Sequence, residues 1–104
     1  MRDVKQEIAD LVGKNRVVLF MKGNKVMPQC GFSARAVQML QSHGTEFVTV
    51  DVLKDADVRQ GVKDYSSWPT IPQCYVDGKF VGGSDILAEL HQNGELGKLL
   101  SLKM

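Results

Sequence analysis

The short apolar run at residues 16–21 (RVVLFM) constrains the fold more than any other feature of the sequence. Nearly all of its residues are hydrophobic and two are β-branched, which is typical of a strand that is covered on both faces. Such a strand needs packing layers above and below it. The run therefore predicts an α/β protein with a buried central strand.

Helical patterns stand on both sides of this run. Asp3 with Gln6 resembles a capping box, and the apolar residues that follow have helical spacing, so a first helix is predicted that ends near Gly13. The loop after the apolar run contains glycine, asparagine and proline, which break regular structure. Beyond it, a second helix is predicted from about Gly31 to Ser42.

A second strand and a third helix come next. Residues 46–52 (EFVTVDV) alternate at a period of two, which predicts a strand. Asp55 or Asp57 is then placed to cap a third helix. This helix is predicted in spite of Gly61, which costs a helix about 1 kcal/mol relative to alanine.

The last part of the chain predicts a hairpin and a final helix. Asp77-Gly78 is a strong signal for a two-residue turn between two antiparallel strands. Ser84 is the predicted N-cap of the final helix, which Asn93-Gly94 interrupts. The resulting order α, β, α, β, α, β, β, α predicts a four-stranded mixed sheet flanked by helices on both faces, the thioredoxin-like fold.

Composition excludes several classes of protein. The 104 residues suit a single domain over residues 1–104, and 43% hydrophobic with 24% charged residues is a globular balance. A net charge of +1 argues against a nucleic-acid partner. No apolar run approaches the roughly 18 residues of a membrane span, and the N-terminus has no signal-peptide pattern. The two cysteines are too few for a disulfide scaffold, so a reducing, cytoplasmic location is predicted.

Cys30 is the residue whose position points most directly to chemistry. It lies immediately before the predicted second helix, where exposed N–H groups and the helix dipole favour a thiolate over a thiol. Ser33 stands where a CxxC redox motif would have its second cysteine, so an internal disulfide cycle is not expected at this site. The alternative, a buried and inert cysteine, fits this loop-to-helix position less well.

Five short motifs together resemble one protein family. MKG, PQCGFS, RQG, WPTIP and GGSDI, in that order, look like the CGFS class of monothiol glutaredoxins, and the match covers nearly the whole chain. The resemblance implies a glutaredoxin domain that binds glutathione, with Cys30 as its catalytic thiol. It also implies that Lys22 and Arg59 hold the glycyl carboxylate of glutathione, for which cations are the natural partners.

The resemblance assigns the rest of glutathione to two further segments. Ile71 would pair its backbone with the cysteinyl part, beside a cis bond to Pro72. Ser84 and Asp85 would hold the γ-glutamyl end, because a helix N-terminus binds a carboxylate and Asp85 carries the charge that suits an ammonium. Phe32 is a further candidate to contact the thiol of bound glutathione.

Some residues depart from the family pattern or stay outside it. Many relatives have a cysteine where this chain has Ser84, and Cys74 stands at a strand position that is commonly aliphatic. We therefore expect Cys74 to be a small core residue, with a resolving role as the alternative. His43 and His91 are predicted near helix C-termini, where they complement the helix dipole, and neither is expected to be a ligand.

The resemblance implies a function as an iron-sulfur carrier. A [2Fe-2S] cluster generally needs four thiolates and this site supplies one, Cys30, so the cluster would bridge a homodimer with two glutathiones completing the ligand set. BolA-like proteins and apo iron-sulfur proteins would be its partners. The alternatives are a glutathione-dependent oxidoreductase acting through a Cys30 mixed disulfide and, last, a passive thioredoxin-like module. The long loop at residues 23–29 resembles a feature of the CGFS class that is associated with poor oxidoreductase turnover, so the resemblance implies weak turnover here. A mature organellar domain, in the mitochondrial matrix or plastid stroma, is the alternative location.

Overall fold

Helices and strands follow one another in the predicted order among residues 2–101, which the computed structural model describes. Positions 1 and 102–104 of the predicted domain lie outside this range. The elements are α1 (Val4–Lys14), β1 (Val17–Met21), α2 (Gly31–Ser42), β2 (Val48–Asp51), α3 (Ala56–Ser66), β3 (Gln73–Val76), β4 (Lys79–Gly82), α4 (Ser84–Gln92) and α5 (Glu95–Ser101). None of these helices is both long and apolar enough to cross a membrane.

The four strands form one mixed sheet in the order β2-β1-β3-β4. The central β1 strand pairs parallel with β2 and antiparallel with β3, and β3 pairs antiparallel with β4 across the predicted turn. Asp77 and Gly78 both have positive φ, 52° and 80°, as a type I′ hairpin turn requires. The predicted thioredoxin-like fold is therefore confirmed.

The buried apolar run is the centre of the molecule, as its composition predicts. All residues of β1 are buried, and their side chains alternate between two hydrophobic clusters. Leu19 and Met21 pack against α2, α4 and α5, whereas Val18 and Phe20 pack against α1 and α3. Lys22 follows β1 directly, at the C-terminal end of this buried central strand.

The predicted helix ends are confirmed at two caps and shifted elsewhere. Asp3 accepts a hydrogen bond from the backbone N–H of Gln6 at 3.1 Å and so caps α1. The reciprocal half of the capping box is not made, since the Gln6 side chain bonds Asp10 instead. The α1 helix also runs one residue past Gly13. Asp55, rather than Asp57, caps α3.

The two histidines contact each other, which their sequence positions do not reveal. His43 caps the end of α2 and His91 lies in the last turn of α4, as predicted. Their ring nitrogens Nε2 and Nδ1 are 3.0 Å apart. This contact joins the C-terminal ends of the two helices whose N-termini carry Cys30 and Ser84.

Replacing Gly61 with alanine should destabilise the protein, although helix propensity alone predicts a gain of about 1 kcal/mol. An added Cβ would lie 2.5 Å from Cγ1 of Val4 and 3.3 Å from Cδ1 of Ile8. Valine is stiff at χ1, so the α1–α3 contact must open, and we expect a net loss of about 1 kcal/mol. Urea unfolding measures this change.

Gly13→Ala is the matched control for this prediction. Nothing lies within 4 Å of a Cβ at Gly13, so the same substitution in α1 should raise stability by up to about 1 kcal/mol. If Gly61→Ala stabilised the protein as much as Gly13→Ala, this result would contradict the close packing of Gly61 against Val4 and Ile8.

Candidate functional site

A cavity of about 400 Å³ opens where β1 ends and where α2 and α4 begin. This volume is within the range of small-molecule sites. Every site residue predicted from the sequence lines it: Lys22, Cys30, Arg59, Ile71, Ser84 and Asp85. The fold thus brings together residues from five separate segments of the chain at one cavity.

Cys30 is the N-cap residue of α2 and is partly exposed at the cavity. Its pKa is lowered below the usual value for cysteine, mainly by the backbone N–H of Ser33. The N–H of Phe32 and the charge of Lys22 act in the same direction, while partial burial opposes them. The start of α2 therefore favours the thiolate, as the sequence predicts.

Lys22 is held beside Cys30 by its backbone. Its N–H donates to Oγ of Ser33 at 3.1 Å, and its carbonyl accepts from the N–H of Gln29 at 2.8 Å. Ser33 is fully buried. The residue that replaces the second cysteine of a dithiol motif therefore ties the end of β1 to the first turn of α2, a role that the sequence analysis missed.

The loop at residues 23–29 is closed by its own hydrogen bonds. Oδ1 of Asn24 accepts from the N–H groups of Val26 and Met27, each at 2.9 Å, and Gly23 forms a bridge with Pro28. Gly23 has a φ of 88°, which favours glycine at this position. The side chains of Val26 and Met27 are left exposed by 88% and 64%. The loop is thus an ordered turn with an apolar tip.

Three cations line the cavity. Arg59 and Lys63 lie one helical turn apart on α3, and Lys22 comes from the end of β1. The family resemblance does not assign Lys63 to the site. Its spacing of four residues from Arg59 was an available signal, because residues at i and i+4 share a helix face. This arrangement is suited to an anionic ligand.

The segment between α3 and β3 forms a second wall of the cavity. The peptide bond between Ile71 and Pro72 is cis, as the resemblance implies. Among the residues that the structure describes, the backbone N–H and carbonyl of Ile71 have no hydrogen-bond partner. Trp68 and Thr70 also line this wall. The backbone of Ile71 is therefore free to pair with an extended ligand.

The N-terminus of α4 forms a third wall, and the prediction that Ser84 caps it is wrong. The N-cap is Gly83, whose carbonyl accepts from the N–H of Leu87 at 3.0 Å, and α4 has no side-chain cap. Ser84 is the first helical residue, and its side chain forms no cap hydrogen bond. The first turn of α4 is therefore left for a ligand to cap, next to exposed Asp85.

Cys74 lies in the core, as expected from its place in a strand. It is fully buried between the sheet and the helices on the side of α2. Burial raises the pKa of its thiol to about 12. A thiol in this state is a poor nucleophile and a poor metal ligand. The alternative of a resolving role is not supported by this position.

Thiol labelling should distinguish the two cysteines sharply. In the native protein, we expect iodoacetamide to modify Cys30 alone, with a rate that rises at a pH midpoint below the ordinary cysteine value of about 8.5. Cys74 should react only after unfolding. Mass spectrometry of tryptic peptides measures both rates. Rapid native labelling of Cys74, or a Cys30 midpoint at or above the ordinary value, would contradict the described site.

A thioredoxin-like fold with a partly exposed cysteine at a helix N-terminus, in the same cavity as a cis-proline, is typical of the thiol-redox proteins of the thioredoxin-like class. The family model for Glutaredoxin matches residues 17–81, more than half of the chain. The chain therefore belongs to the glutaredoxin family, whose general role is thiol redox chemistry, and within it to the monothiol glutaredoxins.

Curated relatives place the chain in the monothiol class. It is 58% identical to a monothiol glutaredoxin of Synechocystis sp. over 102 residues, which are 98% of this chain and 95% of the relative. It is 49% identical to a chloroplastic monothiol glutaredoxin of Oryza sativa, over 98% of this chain and 61% of the relative. It is 48% identical to a mitochondrial monothiol glutaredoxin of Schizosaccharomyces pombe, over 92% and 68%.

Solved structures agree with the fold. Reduced poplar apo GrxS14 superposes with a TM-score of 0.81 at 49% identity, covering 91% of this chain and 87% of that chain. A buckwheat glutaredoxin-glutathione complex superposes with a TM-score of 0.83 at 25% identity, covering 94% and 87%. The thioredoxin-like arrangement is thus shared with glutaredoxins of quite different sequence.

Proposed function

We propose that this chain, as one glutaredoxin domain, binds glutathione in the cavity and carries a labile [2Fe-2S] cluster between two copies of itself. The complex of buckwheat glutaredoxin with glutathione supports the first part, because this chain shares that fold. Glutathione has two carboxylates, an ammonium and a thiol, and the cavity offers groups of complementary chemistry for each.

The charges of the cavity match the two ends of glutathione. Lys22 and Arg59 would hold the glycyl carboxylate, for which a guanidinium fork is well shaped. At the other end, the uncapped start of α4 at Ser84 would hold the γ-glutamyl carboxylate, with Asp85 facing the ammonium. The unpaired backbone of Ile71 would bind the cysteinyl part between them. The glutathione thiol would then lie beside Cys30.

The single partly exposed thiol carries the proposal for the cluster. A [2Fe-2S] cluster generally takes four thiolates, and Cys30 is the one cysteine of the chain that is partly exposed and whose thiolate is favoured. Within residues 2–101, no group of three or more histidine, cysteine or acidic side chains could hold a metal. Two Cys30 thiolates with two glutathione thiols would complete the set, and the noncovalent glutathiones would make the cluster labile.

Lability suits delivery of the cluster to other proteins. Apo iron-sulfur proteins would be the recipients, and a BolA-like protein would be a second partner that supplies its own ligands. The location would be the cytoplasm or, as for the chloroplastic and mitochondrial relatives, the plastid stroma or mitochondrial matrix.

The lowered pKa and partial exposure of Cys30 favour a second function, the removal of glutathione from proteins. The Cys30 thiolate would attack the glutathione sulfur of a mixed disulfide and release the protein thiolate. A free glutathione thiolate would then attack the Cys30-glutathione disulfide, which restores the Cys30 thiolate and forms oxidised glutathione. This cycle needs no second cysteine. We rank this activity below cluster delivery, because the long turn at residues 23–29 resembles the loop that is associated with poor oxidoreductase turnover in the CGFS class.

Anaerobic reconstitution tests the ranking. The protein is incubated with iron and sulfide, with and without glutathione, and is followed by absorption, circular dichroism, metal analysis and size exclusion. We expect about one [2Fe-2S] cluster for every two chains, formed only with glutathione. A protein that stays colourless and monomeric but efficiently reduces a glutathionylated substrate would put the oxidoreductase first.

A further inference from the structure

Gln73 is a fully buried polar residue behind the cavity wall. It is the first residue of β3, and its side chain is 0% exposed. A buried amide is costly unless its hydrogen bonds are made, so the partners of Gln73 indicate what the residue is for.

The Gln73 side chain binds the segment between α3 and β3. Its Nε2 donates to the carbonyl of Trp68 at 3.0 Å and to the carbonyl of Thr70 at 3.2 Å. Its Oε1 accepts from the hydroxyl of Tyr75 at 3.2 Å. Burial raises the pKa of Tyr75 to about 12, so this hydroxyl is protonated and can donate. The opposite amide orientation would place Oε1 against two carbonyl oxygens, so the network admits one orientation.

Besides Gln73, the end of α3 holds the start of this segment, because the Trp68 N–H donates to the carbonyl of Lys63 at 3.2 Å and to Oγ of Ser66 at 3.1 Å. Residues 68–72 are neither helix nor strand. Two of them, Pro69 and Pro72, have no backbone N–H to donate. All five residues nevertheless line the cavity, whereas Gln73 does not. Gln73 therefore fixes the cavity wall from the core side.

We propose that Gln73 is a positioning residue for the glutathione site, with Tyr75 orienting its amide. By fixing the carbonyls of Trp68 and Thr70, Gln73 sets the direction in which the intervening chain presents the backbone of Ile71. The inference rests on the proposed glutathione site, and Gln73 acts on that site without touching the ligand.

The expected effect follows from preorganisation. Without the two donor bonds, the segment samples other conformations in the free protein, and glutathione must order it on binding. The cost appears as a weaker affinity. The groups that lower the pKa of Cys30 are the N–H groups of Ser33 and Phe32, the charge of Lys22 and the Ser33 hydroxyl, whereas the Gln73 side chain bonds Trp68, Thr70 and Tyr75. The reactivity of Cys30 should therefore stay unchanged.

Three variants test the proposal. Gln73→Met keeps the volume of the side chain and removes both donors. Tyr75→Phe removes the bond that orients the amide, together with the hydrogen bond between the same hydroxyl and Ser66. Leu96→Val is a control for core destabilisation. Leu96 lies in the cluster on the other side of the sheet from Tyr75. Glutathione affinity is measured by calorimetry. Iodoacetamide labelling of Cys30 across pH and acrylamide quenching of Trp68, the single tryptophan, are measured alongside.

We expect Gln73→Met to weaken glutathione binding by about tenfold or more and to increase the quenching of Trp68. Tyr75→Phe should weaken binding by about two- to threefold, and Leu96→Val should leave it unchanged. The labelling midpoint of Cys30 should not move in any of them.

The outcomes separate this inference from the proposed function. If the parent protein does not bind glutathione, the proposed function fails, and the positioning role falls with it. If the parent binds and Gln73→Met binds equally well, the positioning role alone is overturned. Should Gln73→Met not fold, Tyr75→Phe decides the question, because it keeps the ring packing, and an unchanged affinity in that variant would overturn the role of the network.

Discussion

A Cys30→Ser variant should lose cluster binding and thiol exchange together. Cys30 is the thiol at the cavity whose pKa the start of α2 lowers, while the second cysteine of the chain is fully buried. Serine keeps the shape of the N-cap position but offers neither a soft metal ligand nor a nucleophile at neutral pH. Anaerobic reconstitution measures the loss of cluster binding, and a glutathione-exchange assay measures the loss of thiol exchange. We expect neither activity to be detectable in the variant.

Cys74→Ala is the matched control for this loss. It removes the other thiol from the core between the sheet and the helices on the side of α2, at a cost of about 1 kcal/mol in stability. Cluster yield per folded protein and the rate of thiol exchange should stay at the parent values. A cluster that survives in Cys30→Ser, or disappears in folded Cys74→Ala, would show that the ligand has been assigned to the wrong cysteine.

Lys22→Gln and Arg59→Gln should each weaken glutathione binding by about 1 kcal/mol, or about fivefold. Both side chains line the cavity, and each would lose a charged contact with the glycyl carboxylate. Both are partly exposed, so solvent screening keeps the expected effect moderate. Calorimetry at low and high salt measures it, and the loss should shrink as ionic strength rises.

A pH profile distinguishes the two cations. Lys22 lowers the pKa of Cys30 by its charge, and Arg59 does not contribute to that shift. The labelling midpoint of Cys30 should therefore rise in Lys22→Gln and stay in place in Arg59→Gln. Lys79→Gln, an exposed lysine on β4 away from the cavity, is the charge-matched control. Parent affinity in both cavity variants would remove Lys22 and Arg59 from the glutathione site.

Local patterns predict much of the fold, because each depends on neighbours in the chain. The apolar run of β1, the Asp77-Gly78 turn and the cap at Asp3 all appear where the sequence places them, and Asp55 is one of the two caps that it offers for α3. These features follow from side-chain periodicity and from backbone hydrogen bonds within a few residues. The predicted break at Asn93-Gly94 separates α4 from α5, and Oδ1 of Asn93 accepts a hydrogen bond from the N–H of Glu95 at the start of α5.

Other features depend on contacts across the fold, and sequence patterns do not contain them. The bond between Ser33 and Lys22 needs the end of β1 to meet α2, and the contact of His43 with His91 needs α2 to lie beside α4. The cap of α4 illustrates a different limit. Both Gly83 and Ser84 are acceptable N-cap residues, and a shift of one residue changes which groups face the cavity.

Some site residues can be predicted from local sequence patterns, whereas others are predicted only from the family resemblance. The position of Cys30 before a helix predicts a reactive thiol from the residues alone. Charge patterns, in contrast, do not separate Arg59 from any other exposed cation of a helix, and its assignment came from the family resemblance. The structure adds Lys63 to the same wall and Gln73 behind it, because only folding brings these residues to the cavity.

Native mass spectrometry of the reconstituted protein tests the central claim most directly, because it counts every ligand in one spectrum. We expect a species with the mass of two chains, one [2Fe-2S] cluster and two glutathiones, which loses glutathione and cluster together and is absent from Cys30→Ser. A cluster carried by a single chain, or by a dimer without glutathione, would contradict the shared set of four thiolates.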